Sequence, residues 1–277
     1  MRIAALQMVS TPDVARNLVA AQRLIAQAAG QGAQLVALPE YFCLMGRSDT
    51  DKLGVAEALI GQGHQGGVAS GPIQQDLAAA AREHRVWVIG GTLPLRCDDP
   101  QRVRNSSLVF APDGTLAARY DKMHLFRFEA GRERYDESRV LEAGATPVAV
   151  QCGALRVGLS VCYDLRFPEL YRALMSPPCD LIAVPSAFTH TTGSAHWELL
   201  LRARAVENQA YVIAPAQGGM HENGRRTWGH TMIVDPWGDV LGVLPEGEGV
   251  VIAEVDRTRL AAVRAKLPAL EHRRLGK

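Results

Sequence analysis

No stretch of the 277-residue sequence approaches the ~18 consecutive apolar residues that a membrane-spanning helix needs. The opening segment MRIAALQMVSTP holds one Arg and a short apolar run broken by Gln7, so it does not read as a secretory signal. Neither sign of charge dominates. The 30 Lys and Arg against 29 Asp and Glu leave a net of +1, which argues against a protein built around nucleic acid or an anionic membrane surface. Five cysteines (Cys43, Cys97, Cys152, Cys162, Cys179) form an odd, scattered set without CxxC, which suits reduced thiols in a cytoplasm better than a disulfide framework. HExxH and GxSxG are absent, and His190 and His196 lie six apart, so no metal site is expected; His196, read as a helix start, is a hydrogen-bonding partner instead. No linker, low-complexity tract or charge run divides the chain, and its 47% hydrophobic and 21% charged residues argue against disorder. One soluble cytoplasmic domain over 1–277 is the expectation.

What is present alternates between β and α patterns. Arg2 to Gln7 has strand length. Thr11-Pro12 then offers a capping hydroxyl and a Pro at the first helical position, and Val14, Leu18, Ala21, Ile25 and Ala28 mark one helical face. Gln34 to Leu38 is a nearly continuous apolar strand, as in a sheet covered on both faces. Helix is predicted over Pro72 to His84, and strand over Val86 to Gly90. Two hairpins follow from turn chemistry: Asn105 to Tyr120 around Pro112-Asp113-Gly114, and Thr231 to Val243 around Asp235-Pro236-Trp237-Gly238. Between them lie strands at Leu155 to Val161 and Asp180 to Val184, a helix after Phe167, and a long helix from His196 to Gln209. Such alternation predicts an α/β protein with mixed sheets covered by helices, and it hints at an internal pseudo-duplication. Gly61-Gln62-Gly63-His64-Gln65-Gly66 matches GxGxxG but follows a helix-like stretch rather than a strand, so it reads as a loop and not a dinucleotide site.

Three reactive side chains stand just past the carboxyl ends of predicted strands, where open α/β sheets place their ligand crevice. Glu40 follows the Leu35 to Leu38 run, Lys122 ends the first hairpin, and Cys162 closes the Leu155 to Val161 strand at a strand-to-helix turn. A cysteine on such a turn has backbone N–H groups nearby, a setting for a thiolate nucleophile. Periodicity leaves a second reading for each: a small buried hydrophobe for Cys162, a solvated strand end for Glu40, a surface charge for Lys122.

The segments around these residues carry a resemblance. Leu38-Pro39-Glu40-Tyr41-Phe42, Tyr120-Asp121-Lys122-Met123-His124 and Val161-Cys162-Tyr163-Asp164-Leu165-Arg166-Phe167-Pro168-Glu169 resemble, in order, the three signature segments of the nitrilase superfamily of carbon–nitrogen hydrolases. The resemblance implies a four-layer α-β-β-α sandwich with two mixed sheets and a catalytic triad at Glu40, Lys122 and Cys162. It also implies a second glutamate, matched here to Glu137, whose other reading is an exposed loop carboxylate. No metal or organic cofactor is implied. Thr192 to Glu198, Arg202 to Glu207, Gly229 to Gly238 and the tail Leu267 to Arg274 look like the Nit branch. Ala216 to His221 is nearer to its deaminated glutathione amidases than to its omega-amidases.

By this resemblance Glu40 is the general base and acid, Cys162 the nucleophile that forms a thioester, and Lys122 with the Tyr163 N–H the oxyanion stabilisers. Lys122 is also expected to hold Glu40 ionised and to lower the thiol pKa. The implied substrate is a small anionic amide with a 2-oxoglutaryl acyl part. For deaminated glutathione the products are 2-oxoglutarate and cysteinylglycine. An omega-amidase acting on 2-oxoglutaramate, or an N-carbamoyl hydrolase, is the alternative with the same triad. Arg166 is a carboxylate binder or the partner of Glu169 in an ion pair, and Tyr41 and Thr192 are candidate pocket walls. A homodimer is implied as well, with Arg202 to Glu207 at its interface, unless those charges mark a solvated helix.

Overall fold

The computed structural model describes residues 1–59, 71–131 and 133–275; the GxGxxG segment at 61–66 lies outside them. β1 (Arg2–Gln7) leads into α1 (Val14–Gly30), then β2 (Leu35–Ala37), the short α2 (Asp51–Gly54), α3 (Pro72–His84), β3 (Trp87–Ile89), β4 (Leu93–Arg96), β5 (Val103–Phe110) and β6 (Leu116–Asp121). A small hairpin of β7 (Arg127–Ala130) and β8 (Glu133–Asp136) comes next. The second half holds β9 (Ala149–Cys152), β10 (Leu155–Leu159), α4 (Pro168–Ala173), β11 (Leu181–Ala183), α5 (His190–Asn208) and β12 (Tyr211–Ala214). It closes with the hairpin β13 (Gly218–Met220) and β14 (Arg226–Trp228), then β15 (Thr231–Val234), β16 (Val240–Leu244), β17 (Gly249–Glu254) and α6 (Arg257–Lys266).

Among the described residues these strands make two large mixed sheets. One runs β17-β1-β2-β3-β5-β4 with β6 added on β5; the other runs β16-β15-β12-β11-β10-β9. In each, three parallel strands (β1-β2-β3, β10-β11-β12) are flanked by antiparallel neighbours, so the two halves share one topological pattern. Alternation along the strands sorts the side chains into layers. Ile3, Ala5, Leu35, Ala37 and Ile89 join the core shared with the second sheet, whereas Ala4, Leu6, Val36, Leu38 and Val88 pack on Leu24 and Ile25 of α1 and Leu77 of α3. On the far side Tyr171 of α4 and Trp197, Leu201 and Ala205 of α5 cover the second sheet. The result is the expected four-layer α-β-β-α sandwich. No helix among the described residues is long and apolar enough to cross a membrane.

Two helix starts differ from their sequence signals. α1 begins at Val14 because Asp13, not Thr11, caps it: Asp13 Oδ1 accepts the Arg16 N–H at 3.2 Å, and the Thr11 hydroxyl instead meets Asn17 Oδ1 at 3.1 Å. α5 begins at His190, six residues before His196, because the Thr189 hydroxyl accepts the Thr192 N–H at 3.2 Å. His196 therefore lies within the helix and not at its start. Pro72 to His84 forms the helix read from the sequence, with Pro72 in its first turn.

Candidate active site

Glu40 sits on the turn that leaves β2, and this turn is fixed from both sides. Gly91 has φ +53, and a Cβ there would stand 2.1 Å from the Pro39 carbonyl oxygen, so a glycine is needed for the β3–β4 connection to close on it. Thr92 Oγ1 accepts the Tyr41 N–H at 2.9 Å. The Glu40 carboxylate is then saturated: Oε1 accepts from Lys122 Nζ and Asn105 Nδ2, each at 2.9 Å, and Oε2 accepts the Ala187 N–H at 3.0 Å. Glu40 and Lys122 side chains are each 1% exposed, so neither is the surface charge that periodicity allows.

Lys122 Nζ also bonds Glu137, at 2.9 Å to Oε1 and 2.8 Å to Oε2. Glu137 opens a single helical turn after β8 and is no exposed loop carboxylate. Its Oε1 accepts the Tyr41 hydroxyl and its Oε2 the Phe126 N–H, both at 2.7 Å. Burial pushes the Glu137 pKa up, but the Lys122 ammonium and these donors outweigh it and hold the carboxyl below its ordinary value. Burial likewise opposes charge on Lys122, and Glu137 and Glu40 outweigh that, so its pKa lies well above the ordinary lysine range. The site thus holds one ammonium between two carboxylates.

Cys162 follows β10 at φ +48, a left-handed conformation that is strained for a side-chain-bearing residue. Its N–H donates to the Pro185 carbonyl at 2.9 Å, and the Asp164 N–H to the Val161 carbonyl at 3.0 Å. Between them the Tyr163 N–H has no acceptor among the described residues. Glu40, Lys122 and the Ala187 N–H all act electrostatically on the thiol. Burial and the Glu40 charge push its pKa well above the ordinary thiol value, although Lys122 pulls it down. Lys122 lowers the thiol pKa as expected, but burial and Glu40 outweigh its pull, and the resting thiol is protonated at neutral pH.

Glu40, Glu137 and Cys162 open onto one small cavity. Tyr163, Arg166 and Thr192 line it as the sequence suggested. Tyr41 does not; its hydroxyl is spent on Glu137, behind the cavity wall, and its ring lies 4.8 Å from Lys52 Nζ. Arg166 forms no ion pair with Glu169 among the described residues. It meets His196 Nδ1 at 3.3 Å and lies over the rings of Tyr163 and Phe188. Sequence reasoning missed Asn105, Arg225 and the role of Asp164. Asn105 sits inside a strand, and Arg225 stands beside another arginine, so neither carried a local signal. Asp164 lies within a signature segment, yet only the folded chain shows what it holds. Among the described residues no group of three or more His, Cys, Asp or Glu side chains is placed to hold a metal ion.

Comparison with known proteins identifies the family. The model of the family described as carbon-nitrogen hydrolase matches residues 2–265. A protein of Synechocystis sp. named deaminated glutathione amidase is 42% identical over 274 residues, 98% of this chain and 97% of that one. Among solved structures, the Caenorhabditis elegans NitFhit protein superposes with a TM-score of 0.85 at 36% identity, over 99% of this chain; the chain spans 65% of that protein. Saccharomyces cerevisiae Nit3, described as a member of branch 10 of the nitrilase superfamily, gives a TM-score of 0.86 at 29% identity, over 100% of this chain and 95% of that one. The chain belongs to the carbon–nitrogen hydrolases of the nitrilase superfamily, and it is an amidase of that family.

Proposed function

We propose that this amidase hydrolyses the amide bond of deaminated glutathione, releasing cysteinylglycine and then 2-oxoglutarate through a thioester on Cys162. The observation that carries the reading is a buried Glu40–Lys122–Cys162 cluster opening on a cavity whose Arg166 has no carboxylate partner among the described residues. An anionic acyl group supplies that partner. The name of the Synechocystis relative supports the same substrate.

In the proposed reaction Glu40 takes the Cys162 proton as the sulfur attacks the amide carbonyl carbon. Because the resting thiol is protonated, proton transfer and attack belong to one step. The carbonyl oxygen gains negative charge between the Lys122 ammonium and the Tyr163 N–H. Each such donor typically lowers the barrier by ~3–4 kcal/mol. The C–N bond breaks as Glu40 returns its proton to the leaving nitrogen, and the acyl group stays on sulfur. Glu40 then takes a proton from water, whose oxygen attacks the thioester; the acid leaves and the thiol is restored. Glu137 keeps Lys122 charged and in place throughout.

The reading extends to a cytoplasmic setting, supported by five free cysteines, and to a homodimer through the outer face of α5. It is tested by supplying deaminated glutathione and 2-oxoglutaramate side by side, with product analysis and intact mass spectrometry. Preferential release of cysteinylglycine with an acyl adduct on Cys162 is expected. Faster ammonia release from 2-oxoglutaramate overturns the substrate and leaves an omega-amidase.

A further inference from the structure

Two guanidinium groups line the cavity, in different surroundings. Arg166 rides on the same turn as Cys162, between the Tyr163 and Phe188 rings and His196. Arg225 belongs to the connection between β13 and β14, and its guanidinium carbon lies 4.9 Å from the centre of the Tyr135 ring. Its Nε is buried without a hydrogen-bond partner. The neighbouring Arg226, by contrast, pairs with Glu246 at 2.9 Å. Among the described residues neither cavity arginine is paired with a carboxylate.

The backbone that presents Arg225 is tied down. Its N–H donates to Asn223 Oδ1 and its carbonyl accepts the His221 N–H, both at 2.9 Å, while Asn223 Nδ2 donates to the Gly46 carbonyl. His221 is buried between the Ser10 carbonyl and the Thr227 hydroxyl, each at 2.8 Å. A guanidinium held on a fixed hairpin, stacked on an aromatic ring and short of an acceptor is preorganised for a planar anion.

The two arginines also relate differently to the reacting carbon. Arg166 is four residues beyond Cys162 on the nucleophile's own turn, so it stays beside whatever remains on the sulfur. Arg225 is carried by a separate hairpin, and its charge acts on Tyr41, the partner of Glu137. We infer that Arg225 binds a carboxylate on the leaving-group side of the scissile amide, so that the site selects amides carrying an anion on both sides of the bond. This deepens the amidase reading above and rests on it.

The test compares deaminated glutathione with its C-terminal carboxamide, which differs only in the leaving-side carboxylate. The wild-type protein should favour the acid by about tenfold or more in kcat/KM, chiefly through KM, the range of a charge-assisted hydrogen bond. Arg225→Met should bring the two substrates to within about twofold, and Arg225→Lys should keep part of the preference. The ratio is unaffected by a smaller folded fraction, because both substrates meet the same enzyme. A preference that survives in Arg225→Met, or a wild type that does not discriminate, overturns the assignment while leaving the substrate standing. A wild type that cleaves neither compound yet releases ammonia from 2-oxoglutaramate overturns the substrate reading, and the Arg225 assignment falls with it.

Discussion

The Tyr120 hydroxyl donates to Asp164 Oδ2 at 2.7 Å, and this contact ties the strand that leads to Lys122 to the turn that carries Cys162. Asp164 is fully buried and accepts three further bonds: from the Val161 N–H at 2.8 Å, from the His124 N–H at 3.0 Å, and from His124 Nδ1 at 2.7 Å. Residues on both sides of Lys122 are therefore held by one carboxylate two positions from the nucleophile. Asparagine keeps one acceptor oxygen and turns an NH2 toward groups that need an acceptor. Asp164→Asn should lose about 2–3 kcal/mol of stability in a urea titration. Its kcat per folded molecule should fall about tenfold or more with KM little changed, as for a positioning residue. Full kcat in a merely destabilised protein would contradict this role.

Removing Lys122 should hurt most at neutral pH. The folded-state pKa of Glu137 is depressed, so its pairing stabilises the fold above the ordinary carboxylate value of 4.5 and is lost as pH falls through the folded value. The Lys122 pKa is raised, so its contribution is complete below the ordinary value of 10.5 and is lost only as pH rises through the folded value. Between these limits Lys122→Met leaves two carboxylates buried against each other, at a loss of about 3–5 kcal/mol. Denaturation midpoints of the two proteins should converge as pH drops below 4.5, because protonated carboxyls no longer repel. A gap that stays constant from neutral to acid pH would contradict the charge argument.

The fold was legible wherever periodicity and turn chemistry agreed. Pro72 to His84 has a proline at its start and apolar residues at helical spacing, and both hairpins are marked by Pro-Asp-Gly or Asp-Pro-Trp-Gly turns. The start of α5 was not legible, because its first turn (His190-Thr191-Thr192) has no apolar stripe and Thr189 is one of several nearby hydroxyls. The triad positions were legible as strand ends, but only the signature segments joined them. Tyr41 was misplaced because adjacency to Glu40 says nothing of direction: at φ +57 its side chain goes to Glu137 and not to the cavity. Arg225 lies more than sixty residues from Cys162, and no local pattern brings it to the site.

The state of the resting thiol gives a third prediction. Burial and the Glu40 charge hold the Cys162 pKa up, and Lys122 opposes them. Glu40→Gln removes the carboxylate and leaves the ammonium, so the pH at which iodoacetamide labels Cys162 at half-maximal rate should shift downward. Turnover should nevertheless fall by about 10²–10⁴-fold, the usual loss for a general base. Cys152 and Cys179 stay silent in such a titration, since both are fully buried in the core whereas Cys162 faces the cavity. Peptide mapping separates Cys97, the half-buried thiol. An unchanged or upward-shifted labelling profile in the variant would show that Glu40 does not govern the thiol.

The outer face of α5 carries the fourth prediction. Leu199 and Val206, seven residues apart and so on one helical face, are 67% and 48% exposed, and Trp237 beside them is 47% exposed. Arg202 lies between them, paired with Glu198 at 3.3 Å. A solvated helix has little use for three large apolar groups in one place, whereas a two-fold contact between copies buries each patch against its twin. The protein should sediment as a dimer. Leu199→Glu combined with Val206→Glu should shift it to the monomer, because the contact would then have to desolvate four carboxylates in place of apolar groups. Circular dichroism should be unchanged, since neither side chain belongs to the core. A wild-type monomer, or a doubly substituted dimer, would rule out this face as the contact.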